Sequence, residues 1–124
     1  MSTNLYVYTD ASVVDDISVG AYIVFSDNIF YTSNLKKFKC SASPTAEMEA
    51  FEFALEYLKT VCTSTTNVFF YTDSKFVIQK VNERDLAEEL KCKEVSVRKV
   101  HGHKRMLNPK KLLDRITKIG QVIL

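Results

Sequence analysis

The sequence has no tryptophan, two prolines, three glycines and three cysteines in 124 residues. Its five Gly and Pro residues do not cluster, which leaves no place for a flexible linker, a low-complexity run or a solenoid-type repeat. Cys40, Cys62 and Cys92 are an odd number without close spacing. That argues against a disulfide framework and fits a reducing compartment. The same scatter gives His101 and His103 no zinc-ligand spacing to share. The longest apolar run, residues 19–25, is 7 residues, against about 20 for a membrane span. The first four residues, MSTN, have no basic segment followed by a long apolar one, which argues against a secretory signal. The expected location is the cytoplasm, with the nucleus left open, and no membrane partner is expected.

What is present suffices for one ordinary core. Hydrophobic residues make up 46% of the chain and include 8 Phe and 6 Tyr. A chain of 124 residues and 14.2 kDa is expected to be a single domain, residues 1–124. A domain of this size buries about two thirds of its surface and needs no staples. Charge is unevenly spread behind a net +2. Residues 1–60 hold 4 basic and 8 acidic residues, whereas residues 91–124 hold 10 basic and 2 acidic. The basic third suits a polyanion and the acidic half suits cations, unless both are simply solvated surface.

The local pattern alternates between strand and helix. Residues 5–9 (LYVYT), 19–25 and 29–32 read as strands, with Ser26-Asp27-Asn28 as hairpin chemistry. Residues 44–61 read as a helix, with Ser43 as cap and Pro44 in its first turn. Residues 68–72 (VFFYT) form a short apolar strand, the kind buried on both faces. Asp73-Ser74 opens a helix to about Val81, and Asn82 with Asp85 caps another to Leu90. Residues 94–100 read as a strand, and a last helix begins at Asn108-Pro109 and stops at Gly120. The expected architecture is α/β. Three strands form an antiparallel meander and two more add in parallel, giving a five-stranded mixed sheet flanked by helices.

One tripeptide occurs twice, Tyr8-Thr9-Asp10 and Tyr71-Thr72-Asp73, each closing an apolar strand. Ligands of open α/β sheets bind at that carboxyl edge. If the two strands are parallel neighbours, the carboxylates sit side by side and repel unless a proton or cation lies between them. The alternative is that each Asp only caps a turn or helix. Glu47 makes a third. At about 100° per residue, Phe51, Ala54 and Leu58 fall within about 40° of Glu47. Glu49, Glu52 and Glu56 fall at about 140–200°, as a solvated stripe. A buried carboxylate needs a partner, which a cap or a Lys could also supply. Three carboxylates on one rim are hard oxygen donors, suited to Mg²⁺ or Mn²⁺ and not to Zn²⁺.

The sequence resembles ribonuclease H of type 1, within the ribonuclease H-like superfamily. The resemblance spans nearly the whole chain and rests on YTDAS at 8–12, AEMEAFEFALEYL at 46–58, YTDSKFVI at 71–78, VHGH at 100–103 and LLDRITKIG at 112–120. It implies the ribonuclease H-like fold and four acidic metal ligands, Asp10, Glu47, Asp73 and Asp114. His103 would assist proton movement or product release. The implied cofactor is a pair of Mg²⁺ ions about 4 Å apart on the scissile phosphate, for which Mn²⁺ can substitute. The implied activity is hydrolysis of the RNA strand of an RNA–DNA hybrid, leaving 5′-phosphate and 3′-hydroxyl ends. Discrimination would come from 2′-hydroxyl contacts across a minor groove. The residues assigned to the hybrid are Ser12, Ser43, Thr45, Ser74, Lys75, Lys99, Lys104 and Arg105. The protein would be a monomer, alone or beside a polymerase or reverse transcriptase.

Some positions depart from the family pattern. On its helix Asp114 lies at about 200° from Leu112, on the polar side, so helical position does not single it out. Lys110 stands where the family often has Asn, and the stretch from His103 to Asn108 lacks the usual glycine. The loop expected after Asp10, residues 11–19, is short and lacks Asn. Ser43, Pro44 and Thr45 replace the Asn residues often found before the catalytic Glu. Binding would then lean on Lys91, Lys93, Arg98, Lys99, Lys104 and Arg105. Two alternatives stay open: a related nuclease acting on structured DNA, and a non-catalytic nucleic-acid-binding domain. Tyr6, Tyr8, Phe69, Phe70 and Tyr71 sit at strand spacing, which favours packing over base stacking.

Overall fold

The structure, a computed structural model, describes residues 3–27, 29–100 and 116–118. Its elements run β1 (Thr3–Val14), β2 (Ile17–Ser26), β3 (Ile29–Lys39), α1 (Ser43–Val61), β4 (Thr66–Thr72), α2 (Lys75–Val81), α3 (Leu86–Leu90) and β5 (Glu94–Lys99). The sheet order is β3-β2-β1-β4-β5. β1, β2 and β3 form the antiparallel meander, and β4 and β5 add in parallel. The expected mixed α/β sheet is therefore the observed one.

Several boundaries differ from the sequence reading. β1 continues to Val14 and β2 starts at Ile17, so the stretch 11–19, expected as a loop, is strand, turn and strand. The turn closes because Asp15 takes a left-handed φ of 57°, which a short polar side chain tolerates. Asp27 does the same at the next hairpin, with φ 50°. β3 extends to Lys39, seven residues past the expected end at 32. The cap of α1 is Ala42, without a side-chain hydrogen bond, and Ser43 is already helical. Of the expected last helix, Ile116, Thr117 and Lys118 are described and are helical.

Strand alternation divides the core between two faces. One face carries Leu5, Val7, Tyr22, Val24, Val68 and Phe70, against Phe51, Ala54, Leu55 and Leu58 of α1. Val77, Val81, Leu86 and Leu90 of the two short helices complete that cluster. Each Val, Leu or Phe side chain among them contributes about 1.5–3 kcal/mol on burial. α1 approaches β2 closely at Gly20, where an added Cβ would meet Ala50 Cα and Cβ at 3.1 Å. The other face carries Ala21 and Ile23, with Tyr8, Phe25, Leu35 and Ile116 packed against them. Tyr6 also stacks on Phe69 across β1 and β4, with ring centroids 5.1 Å apart, so these aromatics serve packing. No described helix is long and apolar enough to cross a membrane.

Candidate metal centre

Parallel pairing of β1 with β4 aligns Tyr8 with Tyr71, the last pair in the register. The repeated tripeptides are therefore level across the two central strands. Beyond that pair β4 ends at Thr72, whereas β1 continues beside β2. Asp10 lies in β1 and is 4% exposed. Asp73 follows β4 directly and is exposed. α1 crosses one face of the sheet and brings Glu47, near its start, to the same edge. One carboxylate oxygen from each of Asp10, Glu47 and Asp73 lies within 4.8 Å of the others. Three carboxylates this close repel unless a cation or proton is shared among them. All three are hard oxygen donors, a set that fits Mg²⁺ or Mn²⁺.

Local hydrogen bonds fix the arrangement. The Ser74 N–H donates to the Thr72 hydroxyl at 3.1 Å, which bends the chain around Asp73. The Val77 N–H donates to the Ser74 hydroxyl at 3.2 Å, so Ser74 and not Asp73 caps α2. The Val100 N–H donates to the Thr72 carbonyl at 2.9 Å, which ties the end of β5 to the same point. Thr9 and Thr72, the middle residues of the repeat, are 2% and 1% exposed. Beside this edge Tyr8, Tyr71, Arg98, Lys99 and Val100 line a cavity of about 570 Å³.

The structure thus brings Asp10, Glu47 and Asp73 together. Asp114, His103, Lys104 and Arg105 lie outside the described residues. Ser12 is in β1 two residues past Asp10, and Ser43 and Thr45 are exposed in the first turn of α1. Lys75 is exposed at the start of α2, and Lys99 ends β5. Lys91 is the left-handed cap of α3, and Lys93 and Arg98 are exposed beyond it. Glu52 lies on the outer face of α1 with its side chain 45% exposed, and it carries an ion pair there. It accepts from Arg84 at 2.9 Å, and Arg84 also binds Glu89. Burial pushes the Cys62 thiol up to about 11 and raises Cys92 as well, so both stay protonated near neutral pH. Lys37 and Lys39, which the sequence reading did not single out, lie on β3, two strands from Asp10. The run of lysines was visible, but its facing depends on the β2–β3 register.

No family model and no curated protein sequence matches this chain. Solved structures do. The chain is similar to RNase H1 from the halophilic archaeon Halobacterium salinarum NRC-1, with a TM-score of 0.62 and 15% identity, over 78% of this chain and 85% of that one. It is also similar to the N-terminal RNase H domain of a Mycobacterium tuberculosis protein, solved as a fusion with maltose binding protein. There the TM-score is 0.69 and the identity 10%, over 94% of this chain and 97% of that one. The chain has the ribonuclease H-like fold.

Proposed function

We propose that this protein is a metal-dependent endoribonuclease that cuts the RNA strand of RNA–DNA hybrids, leaving 5′-phosphate and 3′-hydroxyl ends. The observation that carries the reading is the convergence of Asp10, Glu47 and Asp73 within 4.8 Å at the carboxyl edge of the paired central strands. The names of the similar structures, both RNase H proteins, support it. Asp10, Glu47 and Asp73, with Asp114 as a fourth ligand, would hold two Mg²⁺ ions, or Mn²⁺ in their place. The chemistry such ions supply when bound is to lower the pKa of an attacking water and to neutralise charge at the scissile phosphate and the leaving 3′ oxygen.

The chain's own residues hold and orient. Buried Asp10 is fixed in the middle of a strand, and Asp73 is fixed by the Thr72–Ser74 bond. Glu47 is fixed by the packing of α1 on β1 and β2. His103 would serve proton movement or product release. Ser12, Ser43, Thr45, Ser74, Lys75, Lys99, Lys104 and Arg105 would contact the hybrid, with the protein acting as a monomer or beside a polymerase. The two-residue turn after β1 favours a second reading, a nuclease of structured DNA, because it offers no extended loop to reach a hybrid's minor groove.

End-labelled RNA–DNA hybrid, single-stranded RNA, duplex RNA, duplex DNA and a four-way DNA junction, each with Mg²⁺ and with Mn²⁺, test the proposal. Cutting confined to the RNA of the hybrid, and abolished in a folded Asp10→Asn variant, is expected. Cutting of the junction in place of the hybrid selects the second reading. No cutting of any substrate by folded protein overturns both.

A further inference from the structure

Residues 1–60 hold only 4 basic residues, and three of them, Lys36, Lys37 and Lys39, lie together on β3. β3 is an outer strand of the sheet and leads directly into α1, which carries Glu47. Neighbouring strand residues face opposite ways, and the register separates the three lysines. Lys36 pairs with Gly20 on the α1 face, with its Nζ 5.8 Å from the centre of the Phe53 ring. Lys37 pairs with Val19, which pairs with Ser12. Lys39 pairs with Ile17, which pairs with Val14. Both rows continue the row Asp10, Ala21, Leu35, whose last two members pack with Tyr8 on the opposite face.

Lys37 and Lys39 therefore stand one and two rows past Asp10, on its own face of the sheet. They are two strands to one side, roughly 10 Å at about 4.8 Å per strand. On the other side Arg98 pairs with Tyr71, two strands from β1 on that same face. The carboxylates lie between cations carried by the two outermost strands, β3 and β5, about 19 Å apart by strand spacing.

We infer that Lys37 and Lys39 bind backbone phosphates of the nucleic-acid substrate, so that a duplex lies across the sheet with β3 under one flank and β5 under the other. The inference rests on the nuclease reading of the carboxylate site. The occupant follows from charge. Four carboxylates holding two divalent ions leave no net positive charge to attract a polyanion, so cations placed on both sides of the site would supply the hold on the strand. Lys37 and Lys39 also lie four and six residues further along the strands than Arg98, about 13–20 Å, so at 3.4 Å per base step the diagonal of about 23–28 Å corresponds to about seven or eight base pairs. Edge lysines can also serve only to block strand pairing. That role treats Lys36, Lys37 and Lys39 alike, whereas phosphate binding separates Lys36 from the other two.

The test is binding of a fluorescent RNA–DNA hybrid by the full chain in Ca²⁺, across a salt series, for wild type, Lys36→Gln and the Lys37→Gln/Lys39→Gln pair. Thermal unfolding confirms that each variant folds. The double variant is expected to lower the slope of log affinity against log salt by about two, at about 0.9 per phosphate contact. Lys36→Gln should keep the wild-type slope. A double variant with the wild-type slope and affinity overturns the inference, as does wild-type protein that binds no nucleic acid. A lowered slope in a protein that cleaves nothing supports the lysine contacts while overturning the nuclease reading.

Discussion

Tyr8 stacks on Tyr71 with ring centroids 4.8 Å apart and planes 18° from parallel. Each ring immediately precedes a Thr-Asp pair, and the two tyrosines are the last aligned pair of β1 and β4. The stack therefore locks the two strands level where pairing stops and the carboxylates begin. A slip of one residue would turn Asp10 to the other face of the sheet. The repeat works as a register device: aromatic below, buried Thr in the middle, carboxylate at the rim.

Tyr71→Ala should destabilise the protein by about 2–3 kcal/mol. Of this, about 0.5–1.5 kcal/mol belongs to the ring pair and the remainder to lost burial. The midpoint of thermal unfolding, followed by circular dichroism, should fall by roughly 5–15 °C. Tyr71→Phe keeps the stack and should stay close to wild type. Equal losses in both variants would assign the effect to the hydroxyl instead.

Gly20→Ala is expected to do more harm than its single methyl suggests. The new Cβ would meet backbone and side chain of Ala50 at 3.1 Å and Phe38 at 3.3 Å. Overpacking of that kind destabilises by about 1–3 kcal/mol. Because the contact lifts α1, which carries Glu47, cleavage should fall further than unfolding midpoints predict. Ala50→Gly in the same chain should restore part of the activity, although glycine in a helix itself costs about 1 kcal/mol.

Arg84 gives stability a defined pH dependence. It binds Glu52 at 2.9 Å and Glu89 at 2.6 Å, tying α1 to α3. Its hydrogen bond holds the Glu89 carboxyl below its ordinary value of 4.5. A depressed carboxyl contributes stability above its unfolded pKa, and that stability is lost as pH falls through the folded value. The side chains are 30–45% exposed, so the network is worth about 0.5–1 kcal/mol per pair. Arg84→Met should lower the unfolding midpoint at pH 7, and the gap to wild type should close as pH falls below the ordinary carboxyl range. A gap that persists in acid would assign the loss to packing of the Arg stem.

Two of the three clustered carboxylates were legible because the repeat marks them and parallel strands carry equal tripeptides to one edge. Glu47 was legible through helical phase, which sets it with Phe51 and Leu58 and apart from Glu49 and Glu56. The same phase puts Glu52 on the solvated side, where its side chain is 45% exposed, but its partner Arg84 is 32 residues away and no local period reveals it. The strands were read short at their polar ends. Ser12 and the β3 lysines look like loop by composition, yet hairpin pairing continues through them. Which lysine faces the site could not be read at all. The β2–β3 register shifts between Val24 and Phe25, and a one-residue change reverses every side chain beyond it.

Thr72 links this register to metal binding. Its hydroxyl accepts the Ser74 N–H at 3.1 Å while its carbonyl accepts the Val100 N–H at 2.9 Å, and Asp73 is the residue between Thr72 and Ser74. Thr72→Val preserves shape and removes only the hydroxyl acceptor, leaving a part-buried N–H unmet at a cost of about 1–3 kcal/mol. Asp73 then loses the bond that fixes its backbone, so the Mg²⁺ concentration needed for half-maximal cleavage should rise by about tenfold, the equivalent of 1.4 kcal/mol. Thr72→Ser keeps the acceptor and should keep the wild-type Mg²⁺ dependence, even if it loses some stability with the methyl. A stability loss alone would move both variants together. A shift in Mg²⁺ dependence confined to Thr72→Val would show that the bond acts by placing the carboxylate.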